Sequence, residues 1–185
     1  GNNTFVAVGD SGTIVRSANY GSSWNNPNSG ISQNLNRVTF GNNTFVAVGQ
    51  SGKILRSTGD GSSWNNSTSG LPASSSYNLN GVTFGNDTFV AVGQNGKIVR
   101  STDNGSSFDN ATNSSSHLNG VTFGNNTFVA VDTSGNILRS TDNGSSFSTV
   151  TSPTANRLSS VAFGNNTFVV VGGSGTIVRS TDNGS

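Results

Sequence analysis

The sequence predicts an all-β protein, a β-propeller of four-stranded blades with about 4.5 repeats. Three observations lead to this fold class. One segment recurs at nearly constant spacing, each copy places β-branched and aromatic residues between turn signals, and the second strand of each copy is apolar on both faces. The chain has 185 residues, which suits one domain over residues 1–185.

Each repeat opens with the motif Gly-Asn-Asn/Asp-Thr-Phe-Val. The copies start at Gly1, Gly41, Gly85, Gly124 and Gly164, so they are spaced by 40, 44, 39 and 40 residues. A period of roughly 40–45 residues is typical of a propeller blade. The predicted repeats are 1–40, 41–84, 85–123, 124–163 and 164–185, the last of them incomplete.

The third copy illustrates the four strands that each repeat predicts. Strand a is Val82–Phe84, strand b is Thr88–Val92, strand c is Lys97–Ser101, and strand d begins at Phe108. Asn-rich and Gly-containing turns connect a to b and b to c, because these residues accept the positive φ of tight hairpins. Since strand b is apolar on both faces, each blade is expected to be buried between two others.

Five b, five c, four a and four d strands are predicted, which leaves ring closure open. The chain can form a five-bladed ring, or a four-bladed ring in which Val161–Phe163 completes the first blade and residues 164–185 swap into a neighbour. It can also be an open part of a longer array, and the absence of Met beside Gly1 indicates a processed or partial chain. Each alternative leaves strand edges unpaired, which predicts a homo-oligomer or filament.

A second motif, Ser-x-Asp-x-Gly-x-x-aromatic, follows strand c, and we call it the box turn. Two copies match fully, Asn19 replaces Asp in the first copy, and Asp60 lies one position late in the second. The box positions are Ser17, Asn19, Gly21, Trp24, Ser57, Asp60, Gly61, Trp64, Ser101, Asp103, Gly105, Phe108, Ser140, Asp142, Gly144, Phe147, Ser180, Asp182 and Gly184.

With this motif the repeat resembles the Asp-box (bacterial neuraminidase repeat) β-propellers, and among them the photosystem II assembly-factor-like repeats. The box residues are expected to be structural, with the Asp or Asn oxygen accepting backbone N–H groups and the aromatic ring packing in the core. Trp24 and Trp64 are therefore expected in the core, although an exposed Trp could stack on a sugar. Asn19 and Gly59 argue against a metal site.

One arginine recurs in strand c, near the box turn. The resemblance implies partner binding by an arginine patch, and the alternative is that each arginine bonds a local Asp or the carbonyls of the next blade. The candidate partner-binding ring is Arg16, Arg56, Arg100, Arg139 and Arg179.

N-glycosylation acceptors recur in the a–b turns and in one d–a loop, where Asn is also a natural turn residue. The candidates are Asn2, Asn42, Asn86, Asn110, Asn113, Asn125 and Asn165. The opposite face carries the variable d–a loops 25–35, 65–79, 109–118 and 148–158 and one variable b–c position, occupied by Asp10, Gln50, Gln94, Thr133 and Gly173. A ligand site is expected on that face, at the mouth of the channel, and the alternative is that these loops simply tolerate variation.

Composition excludes several classes of function. Nine basic residues nearly balance eight acidic residues, all of them Asp, so nucleic acid is not an expected partner. There is no Cys or Glu and only one His, which removes most thiol, metal and paired-carboxylate chemistry. No apolar run approaches the roughly 18–20 residues that span a bilayer. No enzymatic activity, cofactor, metal or membrane insertion is expected.

These observations predict a non-catalytic extracellular or cell-surface scaffold, which assembles with itself or binds another protein. The alternative is a multivalent glycan-binding, lectin-like module. The uniform copies also fit a consensus-like repeat protein.

Overall fold

The computed structural model describes residues 1, 3–72, 76–111 and 114–185, and within these ranges it contains seventeen strands. They are β1 (Phe5–Val8), β2 (Ile14–Ser17), β3 (Leu35–Gly41), β4 (Thr44–Gly49), β5 (Ile54–Thr58), β6 (Asn65–Asn66), β7 (Leu79–Gly85), β8 (Thr88–Gly93), β9 (Ile98–Ser101), β10 (Asp109–Asn110), β11 (Leu118–Gly124), β12 (Thr127–Asp132), β13 (Ile137–Ser140), β14 (Ser148–Val150), β15 (Leu158–Gly164), β16 (Thr167–Gly172) and β17 (Ile177–Ser180). Short 3-10 turns lie at Asp10–Gly12, Gln50–Gly52, Gln94–Gly96 and Gly173–Gly175.

The strands form five antiparallel sheets, each a meander of consecutive strands, so the predicted β-propeller architecture is confirmed. Blade 1 is β1–β2, blades 2 to 4 are the four-stranded sheets β3–β6, β7–β10 and β11–β14, and blade 5 is β15–β17. The a strands β3, β7, β11 and β15 contact one another in turn and form the hub. Blades 2 to 5 each begin with an a strand, which ends at the glycine that opens the corresponding sequence repeat.

The fourth strand predicted for the first blade is reduced to a single bridge between Arg16 and Asn25. In blade 2 the strand continues because the Ser67 N–H donates to the Ile54 carbonyl at 3.0 Å. The corresponding residue in blade 1 is Pro27, which has no N–H to donate. The count of four d strands was therefore wrong by one within the described residues.

The a–b hairpins have the geometry that their asparagines predict. Asn42 and Asn43 have φ values of 46° and 58°, and the flanking Gly41 and Thr44 are paired. Positive φ at both central residues defines a type I′ turn, whose twist matches that of the flanking strands.

The core consists of layers between consecutive blades. Every residue of β4, β8 and β12 is buried, as predicted for strands that are apolar on both faces. Between blades 2 and 3, for example, Val46, Val48 and Ile54 form one cluster with Phe89 and Phe108. One blade therefore supplies two valines and an isoleucine, and the next blade supplies two aromatic rings.

Close packing at the hub depends on the glycine that ends each a strand. A Cβ added at Gly85 would overlap the ring of Phe123 in the next blade, and Gly41 and Gly124 face Phe84 and Phe163 in the same way. Gly164, in the last blade, has nothing within 4 Å of that position.

The two end blades each leave one face uncovered, so the blades form an open arc rather than a closed five-bladed ring. We call Phe5, Tyr20, Gly21 and Trp24 of blade 1 the head face. We call Gly164, Val169, Val171, Ile177 and Arg179 of blade 5 the tail face. All of these residues are exposed.

The exposed head face corrects one expectation of the sequence analysis. Trp24 is half exposed because no blade precedes its own, whereas Trp64 is buried and donates its ring N–H to the Gly61 carbonyl. The four-bladed alternative is also wrong, because β15 pairs with β16 rather than with the first blade.

Substituting the hub glycines tests the interlocking of the blades. Gly85→Ala is expected to lower the free energy of unfolding by about 1–3 kcal/mol, because the new methyl group overpacks the seat of Phe123. The matched control Gly164→Ala should change it by less than about 0.5 kcal/mol. Urea unfolding of dilute protein measures both, and equal losses in the two variants would contradict this packing.

Candidate functional site

The box turns are closed by hydrogen bonds around the carboxylate. In blade 3 the Ser101 hydroxyl donates to Asp103 Oδ1 at 2.7 Å and accepts the Gly105 N–H at 2.9 Å. Ser107 donates its backbone N–H to Oδ1 at 3.0 Å and its hydroxyl to Oδ2 at 2.6 Å. Both carboxylate oxygens of Asp103 are therefore engaged within the turn, as an Asx-type role requires.

These bonds control the acidity of the box carboxylates. Partial burial raises the pKa of Asp142, but the hydrogen bonds from Ser146 and Ser140 outweigh it and lower the pKa from 3.8 to about 2. The same opposing causes leave the pKa of Asp103 lowered. The box carboxylates are thus held as anions by their donors, which suits a structural role rather than proton transfer.

The two divergent copies keep a closed turn by other means. Asn19 Oδ1 accepts from the Ser17 hydroxyl and the Ser23 N–H. The Asn19 amide donates to the Ser23 hydroxyl at 2.9 Å, whereas in blade 3 the equivalent serine hydroxyl donates to the aspartate. The displaced Asp60 instead accepts the Ser62 N–H at 3.1 Å and forms an ion pair with Arg16 of blade 1 at 2.5 Å.

The arginine row joins consecutive blades. Arg56, Arg100 and Arg139 each donate Nε to a box-turn carbonyl of the next blade, which belongs to Asn104, Asn143 and Asn183 respectively, at 2.7–2.8 Å. Arg16 bonds the Asp60 carbonyl in the same way. Arg179 lies on the exposed tail face, where the described part of the chain places no box turn. The row therefore takes the structural geometry considered as the alternative to a binding ring.

The a–b turns that carry the N-glycosylation candidates, which we call the sequon turns, lie beside the box turns on one face of the arc. Asn42, Asn86, Asn125 and Asn165 are exposed, and so is Asn110 in β10. Three of these acceptor nitrogens already donate to an adjacent blade. Asn86 Nδ2 donates to Asn143 Oδ1 at 3.2 Å, Asn125 Nδ2 to Asn183 Oδ1 at 3.0 Å, and Asn110 Nδ2 to the Gly70 carbonyl at 3.1 Å. Asn2 and Asn113 lie outside the described residues.

A polar basin of about 540 Å³ opens at the hub, on the face of the variable loops where a ligand site was expected. Its lining comes from the starts of the a strands and from two b–c turns. The residues are Asn36, Arg37, Asn80, Gln94, His117, Asn119, Thr133, Arg157 and Ser159. A smaller crevice of about 220 Å³ between blades 4 and 5 is mainly apolar and lies where blade 5 has no fourth strand.

A row of asparagines fixes the acceptors of the basin. Asn36, Asn80 and Asn119 each donate Nδ2 to the carbonyl of the leucine that starts the next a strand, at 2.8, 2.8 and 2.6 Å. Because the amide nitrogen of each is used in this way, the carboxamide oxygen is left to accept hydrogen bonds from a ligand.

Three ionisable side chains complete the basin. Arg37 in β3 and Arg157 just before β15 are both exposed, and no carboxylate is among the lining residues. His117 Nδ1 accepts the Asn95 N–H at 2.8 Å, a role that Asn34 and Asn78 have in earlier blades, so the neutral ring carries its proton on Nε2. The basin can therefore bind an anion or a polar group, but it offers no carboxylate for acid–base catalysis.

Of these residues, Gln94 and Thr133 were predicted by position, and His117 and Arg157 lie in the variable loops 109–118 and 148–158, but no role was predicted for either. The other five lining residues were not predicted. A signal for the asparagines is present, since Leu-Asn recurs at Leu35, Leu79 and Leu118, where each a strand begins. Within the described ranges, no group of three or more side chains could hold a metal ion, and no helix has the length and apolar character needed to cross a bilayer.

Solved structures with this fold are numerous, and three show its range. The structure of YCF48 with a bound D1 peptide has a TM-score of 0.72 and 17% identity, with 99% of this chain and 62% of that chain covered. The computationally designed Ika8 protein has a TM-score of 0.76 and 17% identity, with 100% and 57% covered. The GH74 enzyme of Niastella koreensis has a TM-score of 0.67 and 23% identity, with 99% and 29% covered.

These likenesses show the fold, a propeller of four-stranded blades, which serves binding proteins and enzymes alike. The chain spans about 57–65% of the length of the first three structures that it matches. No protein-family model matches the sequence, and no curated protein matches it.

The arginine row yields a matched pair of variants. Arg100→Ala is expected to lower the free energy of unfolding by about 1.5–3 kcal/mol, because a charge-assisted bond between blades is lost and the Asn143 carbonyl loses its donor. Arg179→Ala, on the open face, should change it by less than about 0.5 kcal/mol. Chemical denaturation of dilute samples gives both values. An equal loss of stability in Arg179→Ala would show that the bond between blades does not account for the stabilisation by Arg100.

The lowered pKa of Asp142 predicts that the folded state loses stability in acid, and Asp142→Asn should remove this contribution. A carboxyl whose folded pKa lies below its unfolded pKa stabilises the fold above the unfolded value and loses that contribution as the pH falls through the folded one. The stability advantage of the wild type over the Asn variant should therefore shrink between pH 3.8 and about 2. Denaturation at a series of pH values measures this difference, and a constant difference across that window would refute the assignment.

Proposed function

We propose that the chain is a non-catalytic propeller scaffold that binds a carboxylate-bearing segment of a protein partner in the polar basin. The observation that carries this proposal is the charge of the basin, where Arg37 and Arg157 stand among neutral polar side chains with no lining carboxylate. Two arginines around a concave polar surface attract an anionic segment and can hold a carboxylate through paired hydrogen bonds.

The asparagine row suits a peptide main chain. The oxygens of Asn36, Asn80 and Asn119 recur once per blade along the hub, and each is fixed by a bond of its own amide to the next blade. Fixed acceptors need little reordering when they meet the N–H groups of an extended segment, which limits the entropic cost of binding.

Two comparisons support a protein partner. A structural neighbour, YCF48, has a bound peptide, and the box-turn repeat resembles the Asp-box repeats of photosystem II assembly factors. In this chain the strand-c arginines hold adjacent blades together through Nε. We therefore assign the partner to the basin arginines rather than to that row.

The absence of catalysis and the location are parts of the same proposal. Asp103 and Asp142 are engaged in turns, and the buried Asp132 accepts from Ser134 and from the backbone and side chain of Asn136. The exposed sequon turns and the nearly uncharged composition support an extracellular or cell-surface location.

A glycan is the second candidate ligand, and the basin also favours it. Carboxamide oxygens, a threonine hydroxyl and arginine N–H groups can bond sugar hydroxyls. The half-exposed Trp24 offers a stacking surface, but it lies on the head face rather than among the lining residues of the basin.

Parallel peptide and glycan arrays separate the two candidates. We expect acidic peptides to bind, and Arg37→Ser and Arg157→Ser each to weaken the best peptide about tenfold or more, since a charged hydrogen bond is worth about 1.5–3 kcal/mol. Lys53→Ser removes the same charge outside the basin and should bind as the wild type does. Glycan binding lost in the basin variants would support the second candidate, and binding indifferent to these arginines would contradict both.

A further inference from the structure

The interface between consecutive blades is built the same way four times within the chain. One blade presents two valines of strand b and the isoleucine of strand c, and the next presents the strand-b phenylalanine and, in three of the four clusters, the box aromatic. The four presenting sets are Val6, Val8 and Ile14; Val46, Val48 and Ile54; Val90, Val92 and Ile98; and Val129, Val131 and Ile137.

The tail face is the first half of this interface without its second half. Val169, Val171 and Ile177 occupy the same positions in blade 5, yet they are 37%, 42% and 73% exposed. Their counterparts Val46, Val48 and Ile54 are at most 1% exposed. An apolar group of this kind on a protein surface marks a contact site.

The head face is the second half without the first. Phe5 and Trp24 of blade 1 are 52% and 49% exposed, whereas the equivalent Phe89 and Phe108 of blade 3 are at most 1% exposed. The aromatic side chains that meet the valines and isoleucine inside the arc are therefore uncovered at its start.

The polar contacts at the two ends also match. Inside the arc, a box glycine packs against the strand-b valine and the arginine of the preceding blade, as Gly105 does with Val46 and Arg56. The equivalent Gly21 of the head face has nothing within 4 Å of its Cβ position. Inside the arc, Arg56 Nε donates to the Asn104 carbonyl. Arg179 on the tail face occupies the position of Arg56, and Tyr20 on the head face occupies the position of Asn104.

We propose that the head face of one copy docks on the tail face of a second copy, through the contacts that join blades within the chain. Val169, Val171 and Ile177 then cover Phe5 and Trp24, and Arg179 Nε donates to the Tyr20 carbonyl of the other copy. Because the two faces differ, the contact is head-to-tail, and it builds a ring or a filament according to the angle between copies.

The docked interface is smaller than the internal ones. Inside the arc the incoming blade also contributes an a strand, whose phenylalanine packs over the hub glycine, but in the head blade β1 is itself the edge strand. The association is therefore expected to be reversible and dependent on concentration. It uses surfaces separate from the basin, so it stands or falls independently of the function proposed above.

Sedimentation velocity on single and mixed variants tests both the contact and its polarity. Wild type should shift from monomer to oligomer over about 1–100 µM, the range in which a micromolar Kd acts. Trp24→Asp blocks the head, Ile177→Asp blocks the tail, and each alone should stay monomeric. A mixture of the two should form a 1:1 dimer that grows no further, since one intact tail meets one intact head. Thr149→Asp adds the same charge on the exposed outer strand of blade 4 and should assemble as the wild type does.

Three outcomes overturn the proposal: a wild type that stays monomeric, a mixture that does not pair, or a Trp24→Asp variant that dimerises alone through its tail. Circular dichroism checks the fold of each variant, and Phe5→Asp gives a second head variant. Binding of the array-selected peptide to the monomeric variants reports on the basin separately, so loss of assembly with retained peptide binding refutes only this inference.

Discussion

The constraint on which the structure depends is that a blade can bury its two apolar faces only against other blades. Strand β8 is buried along its whole length because blades 2 and 4 cover it. The corresponding strands of the end blades, β1 and β16, have nearly the same apolar sequence but leave alternate side chains exposed. Burial in this protein is therefore a property of position in the arc, and blades are stabilised mainly through their neighbours, as in other repeat proteins.

Most features of the blades could be predicted from short stretches of sequence. The asparagine pairs specify type I′ turns, and these turns set the register of each a–b hairpin. The repeated spacing then fixed the number and order of strands, apart from the outer strand of blade 1. There a single proline removed the donor that Ser67 supplies in blade 2, a detail that strand propensity alone does not weigh.

The basin was harder to predict because its residues lie far apart in the sequence. Asn36, Asn80 and Asn119 belong to three blades and converge only because the a strands pack side by side at the hub. The face was predictable from loop variability, whereas the arginines were not, since Arg37 and Arg157 have no counterparts in the other repeats. The strand-c arginines attracted attention by recurring, and their regularity reflects the joints between blades.

The arginine bonds between blades end on main-chain oxygen atoms, which affects how the number of blades can evolve. The residue whose carbonyl accepts the arginine is aspartate in one copy and asparagine in three, yet the bond is the same. The identity of that side chain does not encode which blade follows which. A unit duplicated or deleted by genetic recombination would meet its new neighbours through the same bond, so this architecture can vary its number of blades without redesigning the joint.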